Sequence, residues 1–180
     1  VSYHDETNGV LKYAYWTGTE WSIEVADSTA EVGVDTSLAI DNKGEPHITY
    51  HRYYDVPFDI LYAHWTPEGG WEIEEVKTGE QTTLALDSEG NPHISYTEGL
   101  AGEGCWLMYA QRLETGWSSE IVDDSGTCVG WHPSLALDGM NRPHVSYLDN
   151  FGTGPLKYAS RTEGGWVTEV VDDTVDVEEE

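Results

Sequence analysis

The stretch Ser37-Leu38-Ala39-Ile40-Asp41-Asn42-Lys43-Gly44-Glu45-Pro46-His47-Ile48-Thr49-Tyr50 decides the fold, because the chain repeats it. It returns as Thr83-Leu84-Ala85-Leu86-Asp87-Ser88-Glu89-Gly90-Asn91-Pro92-His93-Ile94-Ser95-Tyr96. A third copy runs Ser134-Leu135-Ala136-Leu137-Asp138-Gly139-Met140-Asn141-Arg142-Pro143-His144-Val145-Ser146-Tyr147. Val1-Ser2-Tyr3 matches the end of a fourth. Downstream of each copy lies a Tyr-Ala pair, at Tyr13, Tyr62, Tyr109 and Tyr158, then a tryptophan at Trp21, Trp71, Trp117 and Trp166. Each tryptophan has a glutamate three positions on: Glu24, Glu74, Glu120 and Glu169. Landmarks that keep one order through four units mark a repeat architecture.

Every segment within a unit reads as a strand or a turn. Ser-Leu-Ala-Leu-Asp alternates, Asp-x-x-Gly-x-Pro is turn chemistry, and His-Ile-Ser-Tyr is β-branched and aromatic. Pro46, Pro92 and Pro143 open the second strand, where a missing N–H costs least. The Tyr-Ala element forms a third strand and Trp-x-x-Glu a fourth, and no window carries a longer helical period. Four short antiparallel strands per 46–51 residues is the content of one β-propeller blade. The pattern therefore predicts an all-β propeller of about four blades and 15 strands, the first blade lacking its innermost strand. The expected bounds within a single domain are 1–27, 36–77, 82–123 and 133–172, followed by an acidic tail over 173–180. Asp41, Asp87, Asp138, His47, His93, His144, Trp21, Trp71, Trp117 and Trp166 are read as structural repeat residues. A blade cannot bury its own faces, so an open arc would expose apolar surface. The favoured expectation is a portion of a larger propeller; a second chain closing the ring and a tail supplying a strand are the alternatives. The repeat resembles β-propeller proteins of prokaryotic surface and secreted type, whose blades read roughly Leu-Ala-Leu-Asp-x-x-Gly-x-Pro-His-Ile-Ser-Tyr.

Composition narrows the partners. The 180 residues hold 8 Lys plus Arg against 34 Asp plus Glu, a formal charge of −26. Such a surface repels phosphate backbones, which excludes nucleic acid as a partner. No apolar run approaches the ~20 residues of a membrane helix, so no span is expected. The chain starts at Val1, consistent with processing after secretion or with numbering from inside a longer polypeptide.

The four units also locate the place for function. Turns joining strands one–two and three–four are short and uniform, whereas loops at the other end differ in length and content. Those loops are 4–9, 51–59, 97–104 and 148–155 within units, and 28–35, 78–82 and 125–133 between them. Varied loops on a uniform scaffold are where binding is fitted. They carry the ligand-binding candidates Tyr53, Tyr54, Asp55, Trp106, Trp131, His132, Asp149, Asn150 and Phe151, with Phe58 beside them. Aromatic faces stack on sugar C–H groups while carboxylates and amides take hydroxyls, and the same residues suit a protein partner.

Other chemistry is less well served. His47, His93 and His144 sit one strand out from an open axis, on the order of 10 Å apart between blades by strand spacing, too far for a shared metal. Each is expected to bond across its own hairpin to Asp41, Asp87 or Asp138. No nucleophile accompanies them, so no catalytic residue is assigned. Carboxylates are too common for any pair to mark a glycosidase. Asp41-Asn42-x-Gly44 and Asp5-Glu6-x-Asn8-Gly9 only faintly match calcium loops; no cofactor is expected, structural calcium being the exception allowed. Cys105 and Cys128 both map to the uneven end and are a candidate disulfide, which implies an oxidising compartment. The expectation is thus a non-catalytic, extracellular, cell-surface module that binds a glycan or protein; a surface scaffold and a secreted glycan hydrolase are the alternatives.

Overall fold

The computed structural model describes residues 1–29, 31–52, 58–100, 104–149 and 153–174. They form 15 strands, and no α-helix occurs among the described residues, hence none long and apolar enough to cross a membrane. Sheet I comprises β1 (Ser2–Asp5), β2 (Val10–Trp16) and β3 (Trp21–Asp27). Sheet II comprises β4 (Val32–Ile40), β5 (Pro46–Arg52), β6 (Asp59–Thr66) and β7 (Gly70–Thr78). Sheet III comprises β8 (Glu80–Leu86), β9 (Pro92–Leu100), β10 (Gly104–Leu113) and β11 (Gly116–Asp123). Sheet IV comprises β12 (Trp131–Leu137), β13 (Pro143–Leu148), β14 (Leu156–Thr162) and β15 (Gly165–Asp172). Each sheet is an antiparallel meander in chain order. The chain divides into two compact units, Val1–Thr78 with sheets I and II, and Gly79–Glu180 with sheets III and IV.

The first strands of sheets II, III and IV begin earlier than the expected positions 36, 82 and 133, at Val32, Glu80 and Trp131. The cause is a bulge shared by all three. The ladder shifts between Val34 and Ser37, between Glu80 and Thr83, and between Trp131 and Ser134. Asp35, Gln81 and His132 sit at the shift with φ of 48°, 54° and 48°. A left-handed residue breaks the period-two pattern, so the strand continues where alternation stops. Trp131 and His132 therefore belong to β12, not to the loop before it.

Alternation decides which residues cross between sheets. In the first unit Leu11 and Ala26 of sheet I meet Ile48, Tyr50 and Ala63 of sheet II, with Tyr13 and Trp71 packed alongside. In the second, Leu107, Tyr109 and Val122 of sheet III meet Val145, Tyr147 and Ala159 of sheet IV, with Trp166 alongside. Four of the landmark aromatics thus make inter-sheet contacts. Tyr13 meets Trp71 edge-on at 5.6 Å, and Tyr109 meets Trp166 at 5.3 Å. A buried polar tie accompanies each pair. Tyr50 donates to Asp27 at 2.7 Å, and Tyr147 to Asp123 at 2.6 Å. Burial, and then the neighbouring carboxylate, push both phenols far above the ordinary tyrosine range.

Gly33 and Gly130 let the bulged strands approach their neighbours. A Cβ at Gly130 would lie 2.8 Å from Leu107 Cα, and one at Gly33 would lie 3.0 Å from Leu11 Cα. Both residues have positive φ, 99° and 96°, so glycine is required twice over.

Candidate functional site

The repeated histidines come first because they are the nearest thing to a catalytic constellation. Register places Tyr62, Tyr109 and Tyr158 diagonally across from His47, His93 and His144, each tyrosine opposite a small Thr49, Ser95 or Ser146. The phenol reaches over the small residue to the ring: His47 Nδ1 and the Tyr62 hydroxyl are 2.5 Å apart, and His93–Tyr109 and His144–Tyr158 pair the same way. This corrects the expected His–Asp bond, because the third strand supplies the partner for Nδ1. The aspartates come only within 3.7 Å (Asp87) and 3.6 Å (Asp138) of Nε2. Their main work is in the turn. Asp41 accepts the N–H groups of Lys43 and Glu45, Asp87 those of Glu89 and Asn91, and Asp138 those of Met140 and Arg142, all at 2.8–2.9 Å. An Asp spent on two backbone amides closes the Asp-x-x-Gly-x-Pro turn as an Asx motif. Burial lowers His47 to about 4 and also lowers His93, so these rings are neutral. The histidines are braces within the sheets.

The uneven end of the second unit is held differently. Cys105 on β10 and Cys128 in the β11–β12 loop form a disulfide, and the two segments pair there as a short parallel bridge. The Trp131 indole N–H donates to Cys128 Sγ at 3.0 Å, and the His132 ring meets Trp131 edge-on at 5.9 Å. The neighbouring loops converge on Lys157, whose ammonium lies 2.8 Å from Asp149 and 3.3 Å from Asp123 and donates to Ser125 Oγ at 3.1 Å. Burial works to raise Asp123, but hydrogen bonds from Ser125 and Tyr147 hold it below the ordinary range. These contacts fix the loops and leave selected side chains outside. Trp106 leaves the face of β10 opposite Cys105 and Leu107; it is 38% exposed and stands directly across from Glu98 on β9. His132 is also exposed.

The sequence candidates therefore separate. Trp131 and His132 are brought together beside the disulfide, with Trp131 half-buried and committed to packing. Asp149 is engaged by Lys157. Trp106 presents its ring from its own hairpin. Phe58 stacks on His51 at 6.3 Å. Tyr53, Tyr54, Asp55, Asn150 and Phe151 lie outside the described residues, as does most of the acidic tail. Sequence reasoning missed Lys157, Asp123 and Glu98 because charged residues crowd this chain. It also missed Gly33, Gly79 and Gly130, although they keep the spacing of Tyr50, Tyr96 and Tyr147.

A cleft of about 330 Å³ lies at the other, uniform end of the first unit, lined by Tyr13, Tyr15, Glu24, Gly44, Pro46 and Trp65. The second unit explains it. There the turn of β8 reaches the equivalent turn, Asn141 bonding Ser88, and His93 covers the equivalent Tyr109. Sheet I has three strands, so the cleft is the place a fourth strand and its turn fill in sheet III. Its shape follows from strand number. The first unit has one further mark: Trp16 and Trp65 stand opposite Trp21 and Trp71, where in the second unit Arg112 and Arg161 stand opposite Trp117 and Trp166.

No family model matches the chain, and no curated protein matches it. Solved structures do resemble it. A bifunctional GH43-CE protein of Bacteroides eggerthii superposes over 96% of this chain with a TM-score of 0.52 at 14% identity. The match spans 24% of that protein's length. A fucose lectin from Kordia zhangzhouensis, solved with methyl-fucoside, superposes over 77% of this chain and 99% of its own, with a TM-score of 0.52 at 15% identity. The likeness is one of all-β architecture.

Proposed function

We propose that the four sheets are blades of a β-propeller and that the chain is an extracytoplasmic glycan-binding module. Its ligand would be taken at the uneven end of the second unit, on Trp106. The observation that carries the reading is the exposed Trp106 ring opposite Glu98, on a hairpin braced by the Cys105–Cys128 disulfide. An indole face held rigidly in water loses little entropy on binding, and it stacks on the C–H face of a pyranose. A carboxylate across the strand accepts from sugar hydroxyls. The disulfide supports a compartment outside the reducing cytosol. The superposition on a fucose lectin supports a saccharide over a protein ligand.

A glycan array that includes fucosides, followed by calorimetry on any hit, tests this. Trp106→Ala should weaken binding about tenfold or more, the loss of one stacking contact of about 1.5–2 kcal/mol. Glu98→Gln should weaken it less. Either a hit whose affinity ignores Trp106→Ala or an array with no hit overturns the reading.

A further inference from the structure

Two residues after the repeated tyrosine, at the uneven end, every sheet carries a charged residue: Asp5, Arg52, Glu98 and Asp149. In three sheets the third strand answers it with the opposite charge. Lys12 pairs with Asp5 at 2.5 Å, Asp59 with Arg52 at 3.2 Å and Lys157 with Asp149 at 2.8 Å. The answer comes from one of two places in the register. Lys12 and Lys157 stand opposite Tyr3 and Tyr147, and Asp59 stands opposite Arg52 itself.

Sheet III breaks the pattern. Its third strand puts Met108 opposite Tyr96 and Trp106 opposite Glu98, so both answering places are uncharged. Among the described residues no lysine or arginine pairs with Glu98. Burial pushes the Tyr96 hydroxyl on the same face up to about 12, so it stays neutral beside the carboxylate. Met108 is buried, which leaves the Trp106 ring as the answering group that meets water. An indole face attracts a cation through its quadrupole, and a carboxylate across the strand adds a counter-charge. A surface of charge −26 gathers cations everywhere, but it selects none by shape.

We propose that the ligand taken at Trp106 is an amino sugar. Its ammonium supplies the counter-charge that Glu98 lacks, while its C–H face stacks on the indole. This rests on the glycan reading and narrows it to saccharides with a free amine. A lysine side chain of a protein partner would answer Glu98 equally well, but it brings no pyranose face to the ring.

Calorimetry at low salt and about pH 6, where sugar amines are protonated, tests it with a glucosamine trimer, its N-acetylated counterpart and trilysine. The glucosamine trimer should bind about fivefold or more tightly than the acetylated one, and more tightly than trilysine. Glu98→Gln should bring the two saccharides to within about twofold of each other, and Trp106→Ala should weaken both about tenfold. Equal binding of the two saccharides, both weakened by Trp106→Ala, overturns the amine and leaves the glycan reading standing. An amine preference that survives Glu98→Gln overturns the inference, as does trilysine bound as tightly as the glucosamine trimer. Binding of neither saccharide overturns both readings together.

Discussion

Tyr147→Phe removes one oxygen from the inter-sheet tie of the second unit and nothing else. The phenol is 1% exposed and donates at 2.6 Å to Asp123, itself 5% exposed. A hydrogen bond to a charged acceptor contributes about 1.5–3 kcal/mol net. Asp123 keeps the Ser125 N–H at 2.9 Å and Lys157 at 3.3 Å, so it is not orphaned, and the lower part of that range applies, about 2 kcal/mol. Asp123→Ala should cost more, about 3–4 kcal/mol, because it strands a buried hydroxyl and removes a partner of Lys157. The double variant should cost less than the sum by on the order of 1.5 kcal/mol. Urea unfolding followed by circular dichroism reads this directly: with a slope of about 2 kcal/mol/M, the Tyr147→Phe midpoint moves down by about 1 M. Because the folded phenol titrates above its unfolded value, its contribution is complete below pH ~10 and disappears as pH rises beyond that. The gap between wild type and Tyr147→Phe should narrow there. A midpoint shift near zero at pH 7, or costs that simply add, would refute the tie as a stabilising element.

Acid should act through the buried histidines. His47, His51 and His93 are all lowered, chiefly by burial, so their contribution is present above the unfolded value near 6.5 and is lost as pH falls through their folded values, about 4 for His47. Discounted for solvent screening, His47 alone should account for on the order of 2 kcal/mol between pH 7 and 4.5; urea midpoints in high salt, where the −26 charge is screened, should fall over that window, and a flat profile contradicts the assignment. Replacing Cys105 and Cys128 by serine opens a loop of sequence separation 23 and should destabilise the second unit by about 3 kcal/mol.

Strand order and count were legible because four copies of one pattern average out local noise. Leu135, Val145 and Tyr147 can be read as inward-facing from alternation alone. The starts of β4, β8 and β12 were not legible: Asp35, Gln81 and His132 share no chemistry, and only their common φ reveals the bulge. The partner of each histidine was misassigned because sequence distance favours Asp87 for His93, whereas register delivers Tyr109 from the next strand. At the uneven end, Trp106 could be read as a loop-face aromatic, but whether it packs or stands in water could not, because both kinds of aromatic look alike in sequence. Trp131 was not legible as a packed one, since nothing local says its indole N–H ends on a sulfur.

The bulge in each first strand has an evolutionary side. Below it, Ser37–Ile40 and its counterparts keep the repeat ladder; above it, the backbone has already taken up its slack. Asp35, Gln81 and His132 differ in chemistry although they share that backbone, so sheets II, III and IV each carry one rim position where the repeat has diverged while the ladder beneath it has not. Lineages sharing this scaffold should differ most at that position, and libraries for new specificity would start there.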